Sequence, residues 1–378
     1  MSTPFSIPLT DVKVPEEDVQ AVLACLEEGW LTMGPRTQAF EAAFAEWTGA
    51  SHAVAVASGT AALHLALLAA GVGPGDEVIV PAFTFVATAA AARYCGAEAI
   101  LADVRSPLEP TLDVLDVASR ISPRTKAVVA VHFAGYAADM VALRGLCGDR
   151  GLVLIEDCAQ AVGALCADET PVGLAGDIGC FSFFSKKQLC VGEGGMVATA
   201  HEEYAAKVRS LRSHAMTSVT WDRHRGHAES YDIVDVGFNY RLDEPRAALG
   251  LARLPRLDAD LEARREGVRT YRRLLADVPG VELPWTDEDV ERATHFAFCI
   301  LLPDRGTRDA VRDALAADGI QTTWYPSLTY FTEYESHGRR PVSEEVADRH
   351  VALPLSASMV PGDIETVVER LGVALADV

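Results

Sequence analysis

The strongest constraint on this chain is an alternation that fills its first two thirds. Short continuous apolar runs are separated by helical patterns. The runs are residues 53–57 (AVAVA), 77–80 (EVIV), 99–101 (AIL), 127–131 (AVVAV), 152–155 (LVLI), 180–184 (CFSFF) and 196–199 (MVAT). Runs rich in β-branched residues, with no polar alternation, predict strands buried on both faces. Between them, Glu16–Glu28 and 35–47 read as helices, the second with Phe40, Phe44 and Trp47 on one face. The stretch 61–70 is apolar nearly all round, which predicts a buried helix. Strands alternating with helices predict an α/β fold with a mostly parallel sheet covered by helices.

After Pro245 the texture changes. Residues 246–276 form one long helical pattern rich in Arg, Asp, Glu and Leu, with a break expected near Pro255. Strands are then expected at 295–302 and 320–324, and helices at 307–318 and 361–375. The expected organisation is a large α/β domain with its N-terminal segment, 1–245, and a smaller α+β domain, 246–378. For 378 residues, two domains match the usual domain size. No internal repeat or low-complexity segment interrupts the pattern.

The charge excludes some partners. Lys plus Arg number 33 and Asp plus Glu 54, a formal net charge of −21. Such a surface repels phosphate backbones and anionic bilayers, so neither nucleic acid nor membrane is an expected partner. No apolar stretch reaches the roughly 20 residues a membrane helix needs. The opening MSTPFSIPLTDVKVPEEDV lacks the basic and apolar regions of a secretory signal, so a cytoplasmic location is expected. The eight cysteines include no CxxC pair and no zinc-ligand spacing, so reduced buried thiols and no metal site are expected.

Four segments could carry chemistry. In Ser58-Gly59-Thr60 a strand gives way to a helix, and helix N–H groups plus two hydroxyls could hold an anion. An ordinary N-cap explains the same residues. Asp157 closes a buried strand, where α/β proteins bind ligands. It could hold a metal, a ribose or a protonated ring nitrogen, or simply cap the next helix. Lys186 and Lys187 follow the aromatic strand 180–184 and precede Gly192-Glu193-Gly194-Gly195. Paired surface lysines are the commoner fate, and a Schiff-base lysine the chemical one. The segment Pro81-Ala82-Phe83-Thr84-Phe85 could stack an aromatic on a flat ring or pack into the core. Together and in this order, an anion turn, a stacking aromatic, a strand-end aspartate and a strand-end lysine match what pyridoxal 5′-phosphate requires.

These stretches, with Gly29-Trp30-Leu31-Thr32-Met33-Gly34-Pro35, Glu156-Asp157-Cys158-Ala159-Gln160 and Gly237-Phe238-Asn239-Tyr240-Arg241, resemble the DegT/StrS-type sugar aminotransferases. The resemblance runs from Ile7 to the C-terminus. It implies fold type I of the pyridoxal-phosphate enzymes, aspartate aminotransferase-like, with a mostly parallel seven-stranded sheet. It implies Lys187, not Lys186, as the Schiff-base lysine and Asp157 as the partner of the pyridine nitrogen. Ser58, Gly59, Thr60 and Ser182 fall at the phosphate, Phe85 at the ring face and Gln160 near the ring hydroxyl. Asn239 matches a residue that reaches the phosphate of the other subunit, implying a homodimer with shared active sites. Substrate contacts are implied at Thr32, Gly34, His214 and Tyr325. The dehydratase branch of the family carries histidine at the lysine position, so Lys187 favours a transaminase. The implied chemistry is ping-pong. L-Glutamate gives its nitrogen to the cofactor, which passes through pyridoxamine 5′-phosphate, and a nucleotide-linked keto-sugar accepts it.

The text SFFSKKQL followed by GEGGM resembles enzymes that aminate C4 of a 4-keto-6-deoxyhexose. Amination at C3, a cyclitol ketone as acceptor, or a regulator that binds without turnover are the alternatives. Arg223 and Arg225 lie in a locally basic stretch and are candidates to grip a substrate diphosphate; a solvated loop is the plain alternative. One departure stands out. Many relatives carry a His-Tyr-Pro-Pro-x-His segment where this chain has Trp324-Tyr325-Pro326-Ser327-Leu328-Thr329. Among the histidines, His64 reads as core, while His132 and His295 are candidates to line the cleft.

Overall fold

The apolar runs pair into one sheet. The strands, in a computed structural model that describes residues 5–218, 221, 224–225 and 230–377, are β1 (His52–Val56), β2 (Glu77–Pro81), β3 (Glu98–Ala102), β4 (Val104–Ser106), β5 (Glu109–Leu112), β6 (Thr125–Val131), β7 (Val153–Asp157), β8 (Ile178–Ser182) and β9 (Gly195–Thr199). Seven form the sheet in the order β1-β9-β8-β7-β6-β2-β3, and β4 and β5 make a separate hairpin. Pairing is parallel from β8 through β7, β6 and β2 to β3, and β9 runs antiparallel to both β1 and β8.

Each of the seven strands expected in the first two thirds of the chain is present within a few residues, with β8 the most displaced. It begins at Ile178 because Gly179 pairs with Glu156 of β7. A Cβ on Gly179 would lie 2.3 Å from the Gly173 carbonyl oxygen, so only glycine lets the crossing loop lie this close. That glycine reads as a turn in the sequence and hides the start of the strand.

Helices cover both faces. On one face α3 (Gly59–Ala69), α4 (Ala87–Tyr94) and α7 (Glu202–Leu211) pack over Val54, Val80, Ile155 and Cys180. The all-apolar text of α3 is explained by its burial between the sheet, α4 and α7. On the other face α2 (Pro35–Thr48) and α6 (Met140–Arg150) meet Leu154, Phe181 and Met196. Phe44 sits 5.1 Å edge-on from Phe181 and 5.6 Å from Phe183. Each such ring contributes about 1.5–3 kcal/mol by burial. The helix α1 (Glu16–Glu28) is tied down by Asp18, which accepts from Arg253 Nε at 2.8 Å.

The long C-terminal helical pattern divides as expected at Pro255. The helix Glu244–Arg253 passes through a 3-10 turn, Leu254–Arg256, into Leu257–Leu275, because proline supplies no N–H to the ladder. Along it the core changes. Leu261 packs beneath the sheet, whereas Val268 and Tyr271 join a third core with β10 (Phe298–Leu301), β11 (His350–Leu353) and the helices Arg305–Ala317, Pro341–Arg349 and Pro361–Ala376. The expected strand at 295–302 is shorter. The one expected at 320–324 does not form, because Ile320 and Thr323 make only isolated bridges, to Ile7 and Ala352. All eight cysteines are buried and unpaired. No helix among the described residues is long and apolar enough to cross a membrane.

Candidate active site

A cavity of about 590 Å³ opens at the C-terminal ends of β7 and β8 and the N-terminus of α3. The topology places it there, since the strand ends and the first turn of α3 converge at that edge of the sheet. Its lining brings together Ser58, Gly59, Thr60, Phe85, Asp157, Gln160, Ser182, Lys187 and Tyr325, which are scattered through the sequence.

The anion turn is built first. Ser58 caps α3, its Oγ accepting from the Ala61 N–H at 3.1 Å. The N–H groups of Gly59 and Thr60 then have no acceptor within the helix. A Cβ on Gly59 would lie 2.8 Å from Ser182 Cβ, and one on Gly195 would lie 2.5 Å from the Ser58 carbonyl oxygen. Glycine at both places lets Ser182 and the helix start share one cradle.

Asp157, the last residue of β7, is buried. It accepts from Thr88 Oγ1 at 2.8 Å and from the Ala159 N–H at 3.1 Å, and Thr88 is backed by Thr84 at 2.9 Å. Burial nevertheless raises its carboxyl above the usual range, against those bonds and the nearby Lys187 charge. A carboxylate held in this state favours a cationic or N–H donor brought by a ligand. Lys187 is half-buried, with Nζ 4.2 Å from the centroid of Phe296. Desolvation lowers its ammonium to about 8, while Asp157 pulls the other way. Phe85 is 71% exposed and lines the cavity, so it is spare apolar surface and not core. Gln160 Oε1 accepts from the Ala134 N–H at 2.7 Å, which fixes the side chain at the cavity wall.

These groups fit pyridoxal 5′-phosphate: an anion cradle, a flat apolar face, an under-satisfied buried carboxylate and an amine made less basic. Sequence reasoning missed Thr88 and Phe296. A hydroxyl three residues after Phe85 was a faint signal for Thr88, and nothing local pointed to Phe296.

Other sequence candidates lie elsewhere. Asn239 is exposed and does not line this chain's cavity. Thr32 is exposed, and the Gly34 N–H donates to Glu244 Oε1 at 2.8 Å in the cap of α2. His214 is exposed with φ 63°. Arg225 is exposed, with its guanidinium 5.9 Å from the Trp221 ring, and Arg223 lies outside the described residues. The two histidines that are only candidates for the cleft take the plainer role of packed residues. His132 is fully buried against Glu156 at 3.0 Å, and His295 is fully buried against the Val290 carbonyl at 3.0 Å. Burial and nearby Arg265 lower His295 to about 3. His64 is core, as expected.

Comparison with known proteins gives a consistent picture. The model of the DegT/DnrJ/EryC1/StrS aminotransferase family matches residues 13–372. The spore coat polysaccharide biosynthesis protein SpsC of Bacillus subtilis is 36% identical, over 97% of this chain and 96% of its own length. A UDP-N-acetyl-3-dehydro-alpha-D-glucosamine 3-aminotransferase of Acidithiobacillus ferrooxidans is 37% identical, over 94% of both chains. A dTDP-4-dehydro-2,3,6-trideoxy-D-glucose 4-aminotransferase of Saccharopolyspora spinosa is 36% identical, over 94% and 93%. Among solved structures, DesV of S. venezuelae superposes with a TM-score of 0.89 at 33% identity, covering 98% of each chain.

Proposed function

This chain belongs to the DegT/DnrJ/EryC1/StrS aminotransferase family, and we propose that it moves an amino group from L-glutamate to C4 of a nucleotide-linked 4-keto-6-deoxyhexose. That it is a pyridoxal-phosphate-dependent sugar aminotransferase follows from the family and its relatives. The observation that carries the catalytic reading is the pairing, in one cavity, of Lys187 with its lowered ammonium and Asp157 with its buried carboxyl. The C4 reading is supported by the SFFSKKQL and GEGGM text and by the named activity of the S. spinosa relative. The A. ferrooxidans relative, named for C3, makes that position the second reading.

In this proposal Ser58, Gly59, Thr60 and Ser182 hold the cofactor phosphate, Phe85 covers the ring, Gln160 stands near the ring hydroxyl and Asp157 pairs with the ring nitrogen. Bound there, the cofactor supplies an electron sink for the pair left when a C–H bond next to nitrogen breaks. Lys187 holds the cofactor between turnovers. With the cofactor bound, the Lys187 amine would take the proton from the donor Cα and return it within the same half-reaction. Water releases 2-oxoglutarate to end this donor half, and the reverse sequence would then deliver the nitrogen to the keto-sugar, whose carbonyl oxygen leaves as water. The homodimer is part of the proposal. Asn239 is exposed, and Tyr231, Ile233, Val234 and Val236 form an exposed apolar run beside it, which suits a second copy.

The test is the visible spectrum of the protein with its cofactor, before and after L-glutamate, for wild type and Lys187→Ala. Bleaching with release of 2-oxoglutarate in wild type alone is expected. A panel of C3 and C4 nucleotide keto-sugars then reads the acceptor. A wild-type band untouched by glutamate overturns the donor, and turnover of only C3 sugars overturns the position.

A further inference from the structure

We propose that Trp324 discriminates the sugar acceptor, by holding a fixed aromatic face on which a pyranose ring lies; this rests on the sugar-aminotransferase reading. Trp324 lines the cavity beside Thr323, Tyr325 and Pro326. Its backbone is clamped on both sides. Thr323 and Ala352 exchange N–H···O bonds of 3.2 and 2.9 Å, and the Tyr325 N–H donates to His350 Nε2 at 2.8 Å.

The ring itself is held by a buried cation. The Arg308 guanidinium carbon lies 4.2 Å from the Trp324 ring, although Arg308 is only 1% exposed. Arg308 is in turn fixed by Asp309 Oδ1, which accepts from Nε at 2.9 Å and from Nη2 at 2.7 Å, and by the Ala347 carbonyl at 2.5 Å. A desolvated guanidinium on an indole is a strong cation–π contact, and here it immobilises a side chain that still borders the cavity. Phe331 lies in the same lining and extends the apolar wall.

An indole face carries negative potential and attracts the partly positive C–H groups of a sugar ring. L-Glutamate, small and carrying two carboxylates, gains little from such a face. Trp324 therefore weighs on the acceptor half of the reaction and leaves the donor half alone, and its rigidity turns the contact into selectivity.

The experiment compares the holoenzyme with Trp324→Ala and Trp324→Phe. Two readings are taken: cofactor bleaching by L-glutamate alone, and the steady-state KM for a dTDP-linked 4-keto-6-deoxyhexose at saturating glutamate. The Ala variant should raise the acceptor KM about tenfold, the scale of one aromatic contact. The Phe variant, which keeps a ring, should raise it about twofold, and glutamate bleaching should stay at the wild-type rate in both. An unchanged acceptor KM, or an equal loss in the glutamate reaction, overturns the assignment. If the Ala variant does not fold, an acceptor-only rise in the Phe variant supports the assignment, and no rise there overturns it. Wild type that bleaches with glutamate yet turns over no nucleotide keto-sugar overturns the function and this assignment with it.

Discussion

Glu156 and Asp157 are neighbours on β7 with the same functional group, and they face opposite sides of the sheet. Glu156 is completely buried and saturated. It accepts from Gly173, Ala175 and Gly176 N–H groups at 2.9, 2.8 and 2.6 Å, and from His132 Nε2 at 3.0 Å. Because His132 Nδ1 accepts from the Ala138 N–H, Nε2 must be the donor. Cys158 stands beside this pair, but the candidate ligand atoms of the trio are already engaged in hydrogen bonds. Asp157 has two donors among the described residues and opens on the cavity. A saturated carboxylate holds a loop in place, whereas one short of donors is available to a ligand. The largest effects should separate along this line. Asp157→Asn should lower kcat at least 100-fold, the scale of a lost electrostatic contact to the reacting system, with the apoprotein melting temperature kept. Glu156→Gln turns an acceptor into a donor among four N–H groups. It should lower unfolding free energy by about 3 kcal/mol while the folded fraction keeps its kcat. Denaturant titration and kcat on both variants check this, and exchanged phenotypes would break the comparison.

The two lysines after β8 repeat the contrast. Lys186 is exposed at the cavity rim, and Lys187 is half-buried with its ammonium lowered to about 8. Burial disfavours the charged form of a lysine, and only the neutral amine can attack the cofactor aldehyde. Capture of added pyridoxal 5′-phosphate by apoprotein should therefore rise about tenfold per pH unit below 8 and level off above it. Stopped-flow absorbance reads the profile. A break nearer the ordinary lysine value of 10.5 would place Lys187 in water and not in the site.

What the sequence showed and what it hid follow the same physics. The seven strands were legible because burial on both faces leaves unbroken apolar runs. Lys187 and Asp157 were legible because Asp157 ends β7 and Lys187 follows shortly after β8, each inside a compact local text. Thr88 on Asp157, Phe296 on Lys187 and Arg308 on Trp324 were not, because each contact is made by tertiary packing across the chain. The stretch 320–324 has strand-like text but lacks a continuous ladder partner, which no local pattern encodes.

Two glycines carry the comparison into the backbone. A Cβ on Gly59 would press on Ser182 at 2.8 Å, on the cavity side. A Cβ on Gly173 would meet Phe181 at 2.3 Å, and its φ of +92° already favours glycine. Gly59→Ala should weaken cofactor affinity about tenfold with a modest loss of stability, since it disturbs the anion turn. Gly173→Ala should lower the melting point and, in folded protein, leave cofactor affinity near wild type. Equilibrium dialysis and thermal melts on the pair separate the two, and loss of affinity in both would deny the sides separate roles.

The smallest effect belongs at an exposed residue outside the cavity lining. Arg225 is exposed, with its guanidinium 5.9 Å from the Trp221 ring, which meets Trp30 edge-on at 4.8 Å. In a chain of net charge −21, an anionic nucleotide-sugar gains from any exposed cation along its approach. Solvent screening limits that gain, unlike the buried contacts of Asp157. Arg225→Ala should raise the acceptor KM about threefold, as a surface ion pair does, leave kcat unchanged and flatten the dependence of KM on salt. KM for the nucleotide-sugar measured across a sodium chloride series tests all three. An unchanged KM at low salt removes this residue from the binding surface. A fall in kcat instead would mean that this exposed residue influences the cavity, and the division between an interior that does chemistry and a surface that only attracts would have to be redrawn.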